Sequence, residues 1–152
     1  NIKGYNMQVI TAPERKPITT QSIFLAGTID DGKSEDWQSK LIEELINYDV
    51  TVLNPRRNNW GDLPKNELHK QIIWELDHLE KADIIFMYII GSSKSPISLL
   101  EMGIHIKDSK LIVVCEPEFY RYENVRITCE YYNAELYDSL GSGLDALMSN
   151  IG

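Results

Sequence analysis

Ala82-Asp83-Ile84-Ile85-Phe86-Met87-Tyr88-Ile89-Ile90-Gly91-Ser92-Ser93-Lys94-Ser95-Pro96-Ile97-Ser98-Leu99-Leu100-Glu101-Met102-Gly103 is the stretch on which the fold turns. Its apolar first half reads as a fully buried strand, its Gly/Ser-rich middle as a turn, and Ser95-Pro96 as the opening of a helix. A strand that feeds a helix in this way is half of a βαβ unit, in which ligands collect where the strand's carboxyl end meets the helix's amino end. Glu101 falls about two turns into that helix, in a slot where an apolar residue is expected.

The pattern repeats on either side. Ser22–Gly27 is a short apolar run ended by glycine, followed by a polar turn from Thr28 to Lys33. Trp37, Leu41, Ile42, Leu45 and Ile46 recur at helical spacing behind Ser34, the expected N-cap. Asp49–Leu53 is a second strand stopped by Asn54-Pro55, and Arg56 to Pro64 is a loop. A helix follows from about Lys65 to Lys81, with an apolar stripe through Leu68, Ile72, Leu76 and Leu79. Beyond the opening stretch, Lys110–Cys115 is a fourth strand, Ala134–Tyr137 a fifth, and Gly141 to Asn150 a closing helix. Tyr5–Ile10 reads as a short edge strand at most. Strands alternating with helices at this spacing imply a parallel sheet with right-handed crossovers. The expected fold is α/β, a flavodoxin-like three-layer sandwich with about five parallel strands, forming a single domain over residues 1–152.

Composition narrows the function. The 152 residues are 43% hydrophobic and 25% charged, ordinary for a globular protein. A net charge of −8 argues against a nucleic-acid polymer as partner. The two cysteines, Cys115 and Cys129, lack metal-ligand spacing, and His69, His78 and His105 are scattered, so no metal site is expected. No G-x-G-x-x-G or P-loop pattern follows Gly27. No apolar run reaches the length of a membrane span and no stretch reads as a signal peptide, so the expected compartment is a reducing cytoplasm without membrane attachment.

Chemistry points to two carboxylates. Ile97, Leu100, Glu101 and Ile104 share one helical face, and Ile72, Glu75, Leu76 and Leu79 repeat the arrangement on the preceding helix. Each helix thus turns a carboxylate toward or beside the buried layer, where an unpaired charge costs several kcal/mol, on the order that forces pairing or protonation. Two such groups suit nucleophile and acid/base roles in retaining glycosyl transfer; boundary glutamates reaching solvent are the other reading. Ser95 before Pro96 is an N-cap whose neighbouring N–H groups also suit a phosphate. Asn54-Pro55-Arg56-Arg57-Asn58-Asn59-Trp60 is either a solvated loop or a grip on a phosphate or base. Trp74 falls opposite Leu76 and Leu79 on an otherwise polar face, which suggests a subunit contact.

Taken in order, Ile23–Ile29, Asp36-Trp37-Gln38, Asn54-Pro55-Arg56-Arg57, Trp74-Glu75, Ala82-Asp83 and Pro96-Ile97 with Glu101-Met102-Gly103 resemble the nucleoside 2-deoxyribosyltransferase-like family over roughly residues 7–128. The resemblance implies cleavage or transfer at the N-glycosidic bond of a small-molecule (deoxy)nucleoside or its 5′-monophosphate, without a cofactor, in a homodimer or higher homo-oligomer. It implies Glu101 as the nucleophile at C1′ and Glu75, in place of the usual aspartate, as the acid that serves the base. Gly27, Thr28 and Ile29 would line the sugar pocket, with Arg56, Ser95 and Trp74 also on the substrate; Ser95 stands where monophosphate hydrolases carry a phosphate-touching serine. The alternative is a non-catalytic nucleotide-binding or sensing module with the same pocket.

Overall fold

A computed structural model describes residues 7–58 and 63–152 of the chain. The residues of the expected edge strand before Met7, and Asn59 and Trp60 of the Asn/Arg loop, lie outside the described residues. Six strands, β1 (Gln8–Thr11), β2 (Gln21–Gly27), β3 (Val50–Asn54), β4 (Ile84–Ile89), β5 (Leu111–Cys115) and β6 (Glu135–Tyr137), lie in one sheet in the order β1-β3-β2-β4-β5-β6. Every pairing with a described register is parallel. Among the described residues five α-helices, α1 (Trp37–Glu44), α2 (Lys65–Lys81), α3 (Pro96–His105), α4 (Tyr122–Tyr131) and α5 (Leu140–Ser149), complete the α/β fold. The count exceeds the expected five because the edge segment, with only Ile10 fully buried, does pair with β3. Without β1, the order β3-β2-β4-β5-β6 is the 2-1-3-4-5 order of flavodoxin-like sheets.

Contacts divide the chain into two compact units. One comprises Ile29–Asp83 with the segment ending at Leu25; the other comprises Ala26–Thr28 with Ile84–Gly152. In the first, β3 is buried throughout, β2 contributes Ile23, Phe24 and Leu25, and α1 contributes Trp37 and Leu41. Ser22 and Asp83 lock the base of this unit: the Ser22 amide donates to Asp83 Oδ2 at 2.9 Å and the Asp83 amide to the Ser22 carbonyl at 3.1 Å. In the second unit β4 and β5 are buried along their whole length. There α5 packs close because Gly143 carries no side chain; a Cβ at that position would stand 2.1 Å from Val114 Cγ2.

Two helical faces depart from expectation. On α2 the inner residues are Gln71, Trp74, His78 and Leu79, while Leu68, Ile72 and Leu76 of the expected core stripe are exposed. Trp74 is not a surface aromatic: it is 0% exposed, donates from Nε1 to the Glu14 carbonyl at 2.6 Å, and stacks on His78 at 4.1 Å between ring centroids. Burying the largest side chain of the helix, with its N–H satisfied, outweighs burying one leucine. On α3, Ile97, Leu100 and Ile104 likewise face outward, and Ser98, Glu101, Met102 and His105 face inward. Helix α1 is capped by Asp36, whose side chain accepts from the Ser39 amide at 3.2 Å, and not by Ser34.

Candidate active site

The second unit gathers its polar residues at the carboxyl ends of β2 and β4. Gly27 has φ +128, and a Cβ there would lie 2.1 Å from the Tyr88 carbonyl oxygen, so glycine alone lets the end of β2 approach β4 this closely. The Thr28 amide donates to that Tyr88 carbonyl at 2.9 Å. Thr28 thereby enters a ring of hydroxyls with Ser93 and Ser95, all three buried.

The ring has a directional logic. The Ile90 amide donates to Thr28 Oγ1 at 3.0 Å, and Ser93 Oγ donates to the Ile90 carbonyl at 2.7 Å. Thr28 and Ser95 are 2.7 Å apart, Ser95 and Ser93 2.8 Å, and Thr28 and Ser93 3.1 Å. Each hydroxyl has one proton to give. The shortest contacts are served if Thr28 donates to Ser95, Ser95 to Ser93, and Ser93 to Ile90, which closes a relay on the two peptide groups of Ile90. Ser95 occupies the N-cap position of α3 but makes no side-chain cap, because its hydroxyl belongs to this ring. Its backbone is left-handed, φ +43, a conformation that costs a non-glycine residue about 1 kcal/mol or more. The hydroxyl ring offsets that cost and fixes the loop.

Glu116, at the end of β5, secures the same loop from its other side. Its Oε1 accepts from the Gly91 amide at 2.7 Å and its Oε2 from the Tyr88 hydroxyl at 2.9 Å. On the helix that this loop starts, Glu101 sits on the inner face and is 7% exposed. One turn further along the same face, His105 is buried too, its Nδ1 donating to Asp108 Oδ2 at 2.8 Å. A helix whose inner face carries a serine, a glutamate and a histidine around a single Met102 is not built for packing alone. Cys115 and Cys129 offer no competing nucleophile: burial pushes their thiols up to about 12 and about 11, far from thiolate near neutral pH.

The first unit holds the remaining predicted residues. The Ile29 carbonyl organises the turn after β2, accepting from the Gly32 and Ser34 amides and from Ser34 Oγ at 2.9 Å. Arg56 leaves the end of β3 and spends its guanidinium on that turn and the start of α1. Nη1 donates to Ser34 Oγ, the Glu35 carbonyl and Gln38 Oε1, and Nη2 to the carbonyls of Gly32 and Ser34. The structure therefore places Arg56 as a clamp on residues 32–38, with its side chain nearly buried. Glu75 lies half-buried on α2, its Oε2 accepting from Gln71 Nε2 at 2.8 Å. Trp74, inside the core of this unit, backs the helix from which Glu75 projects.

Thr28, Ser95 and Gly27 thus come together at one loop, with Glu101 on the helix that the loop starts. Ile29, Arg56 and Glu75 belong to the other unit. Sequence reasoning missed Ser93, Gln71 and Glu116 as members of these networks. Gln71 was legible in principle, since i and i+4 are neighbours on a helix; Glu116 was not, because its partners come from another strand. Comparison with curated proteins gives no match. A family model described as nucleoside 2-deoxyribosyltransferase like matches residues 20–119, a span that takes in β2 through β5 and every predicted site residue. With well over half of its residues so matched, the chain belongs to the nucleoside 2-deoxyribosyltransferase-like family.

Proposed function

We propose that the protein breaks the N-glycosidic bond of a (deoxy)nucleoside or its 5′-monophosphate with Glu101 as nucleophile. Membership of the family carries the coarser statement, nucleoside glycosyl transfer on small-molecule nucleosides. In the proposed reaction the Glu101 carboxylate forms a bond to C1′ as the C–N bond breaks. The electron pair leaves with the base, and Glu75 supplies the proton that the departing nitrogen takes up. Water or a second base then attacks C1′ and releases Glu101, giving net retention. The observation that most supports this reading is the burial of Glu101 on the inner face of α3, the helix started by a loop held by hydroxyls. The Gly27-Thr28-Ile29 turn and Ser95 are proposed to meet the sugar and its 5′ substituent.

We further propose that the protein works as a homo-oligomer. Ile97 and Leu100 on α3 are 57% and 59% exposed, and Ile72 on α2 is 47% exposed. Apolar stripes of this kind, turned outward from a helix, are features of contact surfaces. Among the described residues no helix is long and apolar enough to cross a membrane.

The test is chromatographic detection of free base from a panel of nucleosides and 5′-monophosphates, with and without an acceptor base. Wild type should release base and Glu101→Ala should lose at least about a thousandfold in rate. Dependence on the acceptor identifies a transferase, and its absence a hydrolase. Nucleotide binding with no release across the panel would overturn the reading in favour of a binding or sensing module.

A further inference from the structure

We propose that Gln71 is a positioning residue for the Glu75 carboxylate, an inference that rests on the acid/base role proposed for Glu75. Gln71 is 1% exposed, and its whole amide is engaged. Nε2 donates to the Pro55 carbonyl at 2.9 Å and to Glu75 Oε2 at 2.8 Å, while Oε1 accepts from Arg57 Nη1 at 3.3 Å. The reversed amide is excluded chemically: it would set Oε1 against a carbonyl and a carboxylate and Nε2 against a guanidinium. Gln71 therefore has one orientation, anchored on the backbone just after β3.

The chain of groups continues past Gln71. Arg57, itself nearly buried, stands 3.8 Å from Glu67 Oε1, and Glu67, Gln71 and Glu75 follow one another at i, i+4 and i+8 along α2. Through these contacts Gln71 ties the orientation of Glu75 to the end of β3, and an acid that gives up a proton and takes it back needs its reach fixed in this way.

The experiment is a double-mutant cycle on base release. Gln71→Met keeps the side chain's length and removes the donor, and Gln71→Asn keeps the amide but is too short to bridge Pro55 and Glu75. Each is paired with Glu75→Gln, with kcat and KM measured separately and thermal midpoints recorded. Gln71→Met should lower kcat about ten- to a hundredfold with little change in KM. In the Glu75→Gln background, the same substitution should cost almost nothing further. A loss of the same size in both backgrounds, or a loss confined to the thermal midpoint, overturns the positioning role. If Gln71→Met misfolds, Gln71→Asn carries the same comparison. Glu75→Gln alone without effect would instead show that the reading of Glu75 has failed, whatever Gln71 does.

Discussion

Helices α2 and α3 carry the same device, a glutamate on a helix whose apolar stripe is turned outward, and hold it by different means. On α2 the carboxylate of Glu75 is half-buried and tethered by Gln71, which is pinned to the Pro55 carbonyl. The remainder of that inner face is a true core, with Trp74 packed on Phe24 and stacked on His78. On α3 the carboxylate is buried more deeply, and the inner face around it is polar, with Ser98 and His105 beside Met102. The α2 arrangement suits a group that exchanges a proton near solvent and depends on a fixed reach. The α3 arrangement suits a group held away from bulk water, as the proposed nucleophile would be. The inner face of α2 should therefore carry stability beside its proposed acid, whereas the polar inner face of α3 should contribute less to stability.

That contrast breaks most visibly at Trp74. Trp74→Ala should cost about 3–5 kcal/mol of unfolding free energy, read from the urea midpoint. The matching change on the outer stripe, Ile72→Ala, should fall within about 0.5 kcal/mol for the monomer. Equal losses at the two positions would mean that the inner and outer faces of α2 have been misassigned. The outer stripes are sharpened by sedimentation: Leu100→Asp should shift the particle toward lower mass while leaving the far-UV spectrum intact. An unchanged mass would remove the contact role proposed for α3.

The smallest effect concerns His78. Burial holds its imidazole below the ordinary value, although its Nδ1 donates to the Trp74 carbonyl at 2.7 Å. The unfolded chain therefore takes up the proton first as pH falls. The stabilisation is complete above about 6.5, the ordinary histidine value, and declines as pH drops below it. Urea midpoints measured between pH 7.5 and 5.5 should fall more steeply for wild type than for His78→Gln, and parallel lines would contradict this assignment.

Strands β2 to β5 were legible because each is a short apolar run, and burial on both faces leaves little choice of composition. The positions of α1, α2, α3 and α5 were legible as well, but their orientation was not, and α4 carried no clear sequence signal. Periodicity identifies an apolar stripe without saying whether it meets the sheet or a partner, and on α2 and α3 the stripe is turned out. Trp74 was misplaced for the same reason, since its polar neighbours Lys70, Asp77 and Lys81 suggested solvent. Glu101 was read on one face with Ile97, Leu100 and Ile104; the structure buries Glu101 but turns those three residues outward. Ser95 was expected to cap α3 but serves the hydroxyl ring, because the partner that recruits it, Thr28, lies 67 residues away. Arg56 was read as either solvated or a grip on substrate, whereas its five donor contacts to residues 32–38 depend on loop geometry that no spacing rule encodes.

The most direct test of the account is to trap the bond it requires. A nucleoside, and its 5′-monophosphate, carrying fluorine at C2′ slows both steps through an oxocarbenium-like transition state, so a glycosyl-enzyme should accumulate. Intact mass spectrometry followed by peptide mapping should find one fluorosugar on the peptide containing Glu101 and none in Glu101→Gln. Base release that proceeds undiminished in Glu101→Gln, with no adduct at any time, would contradict it.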